Sequence, residues 1–128
     1  MIDWAGYQSF RDEFSKVIDE RYFPLSWLDD RILSGRAMFL SSDHAALIVE
    51  LRQYPGGALD AHVLIAAGDK GEITGELTTQ AEAWARDNGC TAAVVESREG
   101  WKRALAPLGY EPHQLVLRKE FRDGLVEK

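Results

Sequence analysis

The sequence predicts an α/β domain, an α+β arrangement in which helices flank a central, twisted, mixed β-sheet. Apolar residues follow helical spacing near the N-terminus, strand-like spacing in the middle, and both patterns in turn toward the C-terminus. The resulting element order is αα-βββ-α-β-α-β. A hairpin pairs its strands antiparallel, whereas a strand-helix-strand crossover pairs them parallel, so the sheet is expected to contain both kinds of pairing.

Two amphipathic helices are predicted in the first third of the chain. Residues 7–20 place five apolar side chains at helical spacing, with charged residues between them. These are Tyr7, Phe10, Phe14, Val17 and Ile18. A second helix over 25–34 has Ser26 as its candidate N-cap and Gly35 as its stop. Its predicted buried side contains Trp27, Leu28, Ile32 and Leu33.

The spacing of apolar residues then changes to that of strands. The segments "RAMFLSS" (36–42) and "AALIVELRQY" (45–54) predict two strands. The residues "YPGG" (54–57) have turn chemistry, and "ALDAHVLIAA" (58–67) predicts the returning strand of a hairpin.

The turn also predicts the register of this hairpin. If Gly56 lies at the centre of the turn, Arg52 faces Asp60 and Glu50 faces His62. The apolar pairs on the opposite face are then Leu51 with Ala61, Val49 with Val63, and Leu47 with Ile65. This register separates apolar from polar side chains, which favours it over a slip of one residue.

The second half of the chain alternates helix and strand. A loop at 68–72 leads into a helical stripe that ends near "DNG" at 87–89. A buried parallel strand is predicted at 91–97, a short helix at 99–107, and a final alternating strand at 113–121. The helical stripe consists of Ile73, Leu77, Ala81, Trp84 and Ala85.

Length and composition indicate one globular domain over residues 1–121, with a frayed tail at 122–128. A net charge of -6 argues against nucleic acid as a partner. The sequence has neither a long apolar run nor a signal-peptide pattern, so a cytoplasmic location without membrane contact is expected. A lone Cys90 cannot form an internal disulfide, and no residues have metal-ligand spacing, so no metal site is predicted.

Three segments resemble the GCN5-related N-acetyltransferase (GNAT) superfamily, most clearly over residues 36–121. They are "HVLIAAGDKGEITGEL" after the hairpin, "EAWARDNGCTAAVV", and "GWKRALAPLGYEPHQLVLRKEF". The resemblance implies that acetyl-CoA is the cosubstrate and that it enters where strands 58–67 and 91–97 separate. It also implies that the pyrophosphate lies on backbone N–H groups of the loop at 68–74. Unpaired N–H groups and the helix dipole both favour an anion there.

The cofactor-binding residues that the resemblance implies centre on this loop. They are Ala66, Ala67, Gly68, Lys70, Gly71, Glu72, Ile73, Thr74, Gly75 and Arg98. The family signature of Gln or Arg, two residues, Gly, one residue, then Gly or Ala falls on Asp69, Glu72 and Thr74, and none of the three matches. An alternative explains the two acids, because Asp69 and Glu72 have the spacing of a capping box.

Candidates for the catalytic residues are Glu50 and His62, as a general base and its orienting partner. The alternative is a cross-strand polar pair on a solvated face of the hairpin. The tyrosine that many family members use to protonate the CoA thiolate aligns with Leu105, which has no proton to give, and the usual Asn position aligns with Arg98.

Two functions from different classes therefore remain open. The first is an N-acetyltransferase that moves acetyl from acetyl-CoA to an unidentified small-molecule or protein amine by direct attack. The second is a catalytically inactive GNAT-like binding or structural module, of a kind found among phage products. The resemblance also allows a homodimer that pairs through the last strand.

Overall fold

A computed structural model of the 128-residue chain describes residues 2–97 and 99–121. The chain forms two compact units, residues 1–96 and residues 97–128. The single domain over 1–121 stays a prediction, and the predicted tail at 122–128 lies outside the described residues.

The first unit contains two N-terminal helices, four strands, and a long helical segment before the last strand. In chain order the elements are α1 (Trp4–Ser15), α2 (Leu25–Leu33), β1 (Ala37–Ser41), β2 (Ala45–Gln53), β3 (Leu59–Gly68), α3 (Lys70–Glu72), a π-helical turn (Ile73–Leu77), α4 (Thr78–Asp87) and β4 (Ala92–Val95). The second unit begins with α5 (Glu99–Leu105) and a 3-10 turn (Ala106–Leu108).

The four strands form one mixed sheet in the order β1-β2-β3-β4. The pairs β1–β2 and β2–β3 are antiparallel, whereas β3–β4 is parallel. This arrangement confirms the predicted fold class, with helices flanking a mixed sheet. β2 lies inside the sheet, and its first six residues, Ala45–Glu50, are all buried.

The register of the β2–β3 hairpin matches the prediction over its outer half. Glu50 pairs with His62, Arg52 with Asp60, Leu51 with Ala61, and Val49 with Val63. The predicted pair of Leu47 with Ile65 is wrong. The register shifts between Ile48 and Val49, so that Ile48 pairs with Ile65 and Leu47 pairs with Ala66. The cause is a β-bulge in which β3 has one extra residue, Leu64.

One face of the sheet packs against α1 and α2 around a cluster of aromatic side chains. The Phe39 ring from β1 meets Tyr7 and Phe14 edge to face, at centroid distances of 6.1 and 6.4 Å. Burying apolar side chains of this size stabilises the fold by roughly 1.5–3 kcal/mol each. The buried cluster consists of Tyr7, Phe14, Leu28, Ile32, Phe39, Ala46, Ile48 and Ala67.

The long helical segment buries four residues of the predicted stripe, Ile73, Leu77, Ala81 and Ala85, whereas Trp84 is half-buried. These four residues are spaced by four, so on an ideal α-helix the stripe would rotate by about 40° per step. The π-helical turn contains the first step, and the Thr78 hydroxyl donates to the Ile73 carbonyl at 2.7 Å. The wider turn reduces the rotation and keeps the stripe directed at the sheet.

The boundaries of the N-terminal helices differ from the prediction. α1 begins at Trp4 because Asp3 caps it, with Asp3 Oδ1 accepting from the Gly6 N–H at 2.9 Å. α2 begins at Leu25, and Pro24 rather than Ser26 occupies its N-cap position. Proline already has a φ suited to entering a helix and needs no side-chain cap.

The predicted strand at 113–121 is wrong for this structure, because these residues form no strand. Leu115, Val116 and Leu117 are about four-fifths exposed. Alternation of apolar and polar residues predicts which side chains would lie on each face of a strand. It does not supply the neighbouring strand whose N–H and C=O groups an extended segment needs.

An ion pair and a hydrogen bond from a buried hydroxyl join the first two helices. Arg11 donates from Nε and a terminal nitrogen to the two Asp29 oxygens, at 2.8 and 2.7 Å. The buried Tyr7 hydroxyl donates to Asp29 Oδ1 at 2.6 Å. These bonds, Arg11 first, hold the pKa of Asp29 below its ordinary value. The carboxylate therefore stabilises the packing of α1 on α2 only while it is charged.

We expect Asp29→Asn to lower the free energy of unfolding by about 1–3 kcal/mol at pH 7, since hydrogen bonds to a charged group are lost. The folded pKa of Asp29 is depressed, so its contribution is complete above the unfolded pKa of about 4 and disappears as the pH falls through the folded pKa. Urea unfolding at pH 7 and at pH 3 measures the difference. Asp30→Asn, at the exposed neighbouring position, is the control. A deficit in Asp29→Asn that is equal at both pH values would contradict this account.

Candidate functional site

β3 and β4 are paired over only part of their length. The parallel register runs from Asp60–Ala92 to Val63–Val95, whereas β3 continues to Gly68. Over residues 65–68, β3 is therefore paired with β2 on one side and, within the described residues, with no strand on the other. β4 ends at Val95, so no strand of the described residues lies beside this part of β3, and we call its unpaired edge the opening.

The bulge at Leu64 lies at the start of this opening. Leu64 follows Val63, the last β3 residue that pairs with β4, and it has no Cα partner in β2. A bulged residue is left out of the regular ladder, and bulges are common beside active sites. Leu64 and Ile65 are half-buried, and their side chains pack against the aromatic core.

The loop after β3 is held by Gly68, whose φ of 107° favours glycine. A side chain on Gly68 would clash with the backbone of His44 and Ala45. The Asp69 N–H donates to the His44 carbonyl at 2.9 Å. The packing of the loop against the β1–β2 turn is sufficient to explain this glycine.

The two acids of the loop form hydrogen bonds that hold the loop in place. Asp69 Oδ1 accepts from the Glu72 N–H at 2.9 Å, which confirms the capping interpretation for Asp69. Glu72 does not complete the capping box. Its carboxylate instead accepts from the Ser42 hydroxyl and the His44 N–H, and it contacts His44 Nδ1 at 2.9 Å. Glu72 thus ties the β1–β2 turn to the helix start.

These contacts shift two pKa values in opposite directions. The hydrogen bond from Ser42, followed by those from His44, lowers the pKa of Glu72. The hydrogen bond to Glu72 raises the pKa of His44 above its ordinary value. Both shifts favour the charged pair.

The other predicted cofactor residues fall into three groups. The side chains of Ala67 and Ile73 are buried in the core, so only their backbone could face a ligand. The Thr74 hydroxyl donates to the Lys70 carbonyl at 3.1 Å. The remaining residues lie half-buried or exposed along the strand end and the first turns of the helix: Ala66, Gly68, Lys70, Gly71 and Gly75. Arg98 lies outside the described residues.

The structure brings Glu50 and His62 together as cross-strand partners, with 7% and 6% of their surfaces exposed. This burial overturns the interpretation of a pair on a solvated face. The hydrogen bonds of Glu50 and His62 also differ from those expected of a general base and its orienting partner. Glu50 accepts from Arg31 at 3.2 Å and from Arg52 at 3.0 Å, whereas His62 Nε2 lies 2.8 Å from the Tyr54 hydroxyl.

The surroundings of His62 favour its neutral form. Burial lowers the pKa of its imidazole below the ordinary value, and the Arg52 charge lowers it further. Three nearby carboxylates act in the opposite direction, those of Glu96, Asp60 and Glu50. A neutral imidazole bonded to a hydroxyl can take up a proton, which is the chemistry of a general base.

Sequence reasoning missed two partners of this cluster. Tyr54 follows β2 at even spacing from Glu50 and Arg52, so alternation alone could have placed it on their face. Arg31 comes from α2, and nothing local predicts its contact with Glu50. Arg52 also lies 3.8 Å from Glu96, just after β4.

Neither Leu105 nor Cys90 supplies a second proton-transfer group. Leu105 is buried and apolar, and burial raises the pKa of the Cys90 thiol, which disfavours a thiolate. Within residues 2–97 and 99–121, no three His, Cys, Asp or Glu side chains gather as metal ligands. The described helices include none with the length and apolarity of a membrane span.

We expect Glu72→Gln to lower the pKa of His44 toward its ordinary value, because a neutral amide stabilises imidazolium less than a carboxylate does. NMR titration of the histidine ring protons measures the change. Asp43→Asn is the control, because Asp43 raises the pKa of His44 through a weaker, purely coulombic effect. An unchanged pKa for His44 in Glu72→Gln would show that the contact does not form in solution.

A scan against protein-family models finds no match for this chain. A search of curated proteins also finds none.

Solved structures do match. A GCN5-related N-acetyltransferase from Ralstonia eutropha is 15% identical with a TM-score of 0.70, covering 91% of this chain and 94% of that one. A predicted acetyltransferase with acetyl-CoA from Clostridium acetobutylicum is 7% identical with a TM-score of 0.69, covering 98% and 94%. Glucosamine-6-phosphate N-acetyltransferase from Arabidopsis thaliana is 10% identical with a TM-score of 0.68, covering 94% of each chain. The protein therefore has the fold of the GCN5-related N-acetyltransferases.

Proposed function

We propose that this protein is an N-acetyltransferase that transfers the acetyl group of acetyl-CoA to an amine by direct attack. The observation that supports this function best is the end of β3–β4 pairing at Val63–Val95, while β3 continues to Gly68 and a long helical segment starts at Lys70. An extended thioester arm fits between separating strands, and its phosphates fit at the helix start.

The helix start supplies the groups that hold pyrophosphate in this proposal. Helical backbone is continuous from Lys70 to Asp87, and the first N–H groups of a helix have no intrahelical acceptor. Asp69 takes up the N–H of Glu72 and, through its carbonyl, that of Ile73. In this proposal the N–H of Gly71 donates to the anion, within the turn that also contains Lys70.

The acids of the loop do not oppose this binding as strongly as their number suggests. The Asp69 carboxylate is bonded to the helix N-terminus, and the Glu72 carboxylate is bonded to Ser42 and His44. A charged His44 offsets the charge of Glu72. The net charge next to the proposed phosphate position is therefore less negative than the number of acidic residues in the loop implies.

The backbone at the bulge supplies the groups that orient the thioester arm. Leu64 has no pairing partner in β2, and β4 pairing has already ended. In this proposal the backbone of this irregular stretch bonds to a carbonyl of the ligand, beyond the last β3–β4 pair. Amides of the arm would extend along β3 toward Gly68, and the reacting carbonyl would lie near Leu64.

His62 is the general base in this proposal, and Glu50 has a supporting role. Both oxygens of Glu50 accept hydrogen bonds from guanidinium groups, those of Arg31 and Arg52, so this carboxylate is less suited to take up a proton. His62 is neutral and lies two residues before the bulge. We place the reaction in the cytoplasm, where acetyl-CoA is available, and the acceptor is a primary amine.

We expect acetyl-CoA to raise the melting temperature, because a ligand that binds only the native state stabilises it. At one hundred times its dissociation constant the stabilisation is about 2.7 kcal/mol. Gly71→Asp is expected to abolish this shift, since it places a carboxylate beside the proposed phosphate position. Differential scanning fluorimetry with acetyl-CoA, CoA and pyrophosphate measures all three.

Gly71→Asn is the matched control, with a side chain of equal size and no charge. The position has an ordinary φ, and an added Cβ would lie 3.2 Å from Asp69 Oδ1, so both variants bear the same steric load. The asparagine variant should keep most of the shift. If wild-type protein shows no shift at millimolar acetyl-CoA, the protein is not an acetyltransferase, and a binding or structural module takes its place.

A further inference from the structure

The Tyr54 hydroxyl contacts the imidazole of the buried His62. The hydroxyl lies 2.8 Å from His62 Nε2, and the two ring centroids are 6.4 Å apart. Tyr54 is 40% exposed at the end of β2, whereas only 6% of His62 is exposed. A proton that enters His62 through Nε2 therefore passes through the tyrosine hydroxyl.

We propose that Tyr54 is a catalytic residue that carries the proton of the acceptor amine to His62. This inference rests on the proposed acetyltransferase function and deepens it, because it names the group that meets the amine. The chemistry needs such a group, since a primary amine is protonated near neutral pH and an ammonium cannot attack a carbonyl.

The position of the pair suits this role. His62 pairs with Val94 of β4, one residue before β4 pairing ends, and the bulge at Leu64 follows. His62 thus lies next to the opening, where the reacting carbonyl is proposed to lie, and the Tyr54 hydroxyl reaches it from the side of the hairpin turn. Tyr54, His62, β3 and β4 up to Glu96 all belong to the same compact unit.

The proton transfer balances as a relay. The ammonium gives one proton to the Tyr54 oxygen as the hydroxyl gives its own proton to His62 Nε2, so Tyr54 stays neutral and His62 becomes imidazolium. The free amine attacks the thioester carbonyl, the C–N bond forms and the C–S bond breaks. The second amine proton goes from the nitrogen of the tetrahedral intermediate to the departing sulfur. The imidazolium then returns its proton to water through Tyr54.

Charged groups around His62 define the pH range of the relay. Burial and the Arg52 charge lower the pKa of His62, whereas Glu96, Asp60 and Glu50 raise it. The net shift is downward, so the imidazole is ready to accept a proton at neutral pH. The kcat/KM of the wild type should rise with pH through a value below the ordinary histidine pKa of about 6.5.

The test compares Tyr54→Phe with wild type, using release of CoA thiol from acetyl-CoA with two simple amines. n-Propylamine is an ammonium at neutral pH and needs the relay, whereas hydroxylamine is mostly neutral and does not. We expect Tyr54→Phe to lower kcat/KM for propylamine by about 100-fold or more, and for hydroxylamine much less. With propylamine, the rate of the variant should follow the fraction of free amine, so it should keep rising with pH above the range in which the wild type levels off. His62→Gln should behave in the same way.

Tyr22→Phe is the matched control, because it removes a hydroxyl from an exposed tyrosine between α1 and α2. It should leave both rates unchanged. The relay is overturned if Tyr54→Phe keeps full activity with propylamine, if it loses both amines equally, or if wild type binds acetyl-CoA and turns over neither amine. A wild type with no thermal shift in acetyl-CoA overturns the acetyltransferase proposal itself, and the relay with it.

Discussion

The antiparallel pairing of β2 with β3 is the constraint on which the rest of the structure depends. β2 is buried along most of its length, so its backbone groups must be paired on both sides, by β1 and by β3. Successive residues of a strand point to opposite faces, so this register decides which side chains meet the N-terminal helices. It places Glu50 and His62 on the same face as Ile48, at the end of the sheet where Arg31 of α2 reaches them.

The bulge at Leu64 allows one strand to serve both the core and the site. His62 and Ile65 are three residues apart and would face opposite sides of a regular strand. With the extra residue between them, each pairs with a residue on the same face of β2, Glu50 and Ile48 respectively. His62 thereby joins the polar cluster while Ile65 packs on the aromatic core. The irregularity occurs beside the last β3–β4 pair, so one local defect both bends β3 and coincides with the opening.

The parts of the fold that could be predicted are those that local patterns report. The hairpin turn and the alternation at its outer end predicted the Glu50–His62 pair. The bulge could not be predicted, because "VLIAA" is apolar throughout and offers no alternation that would reveal a shift. The strand at 113–121 had alternation but lacked a partner. Arg31 could not be assigned to Glu50 in advance, since packing of α2 on the sheet brings them together.

The residues of the loop depart from the family's sequence signature, and the contacts of its two acids show what these residues do instead. Asp69 and Glu72 occupy positions where the family signature has other residues, so the sequence alone gives a weaker reason to expect phosphate binding by this loop. In the folded chain, Asp69 caps the helix and Glu72 bonds to Ser42 and His44, so both carboxylates serve to position the helix start. Phosphate recognition at such a site depends on backbone N–H groups, which every residue except proline provides. The departures from the signature therefore describe how the loop is held in place, and the proposed phosphate contacts do not depend on these side chains.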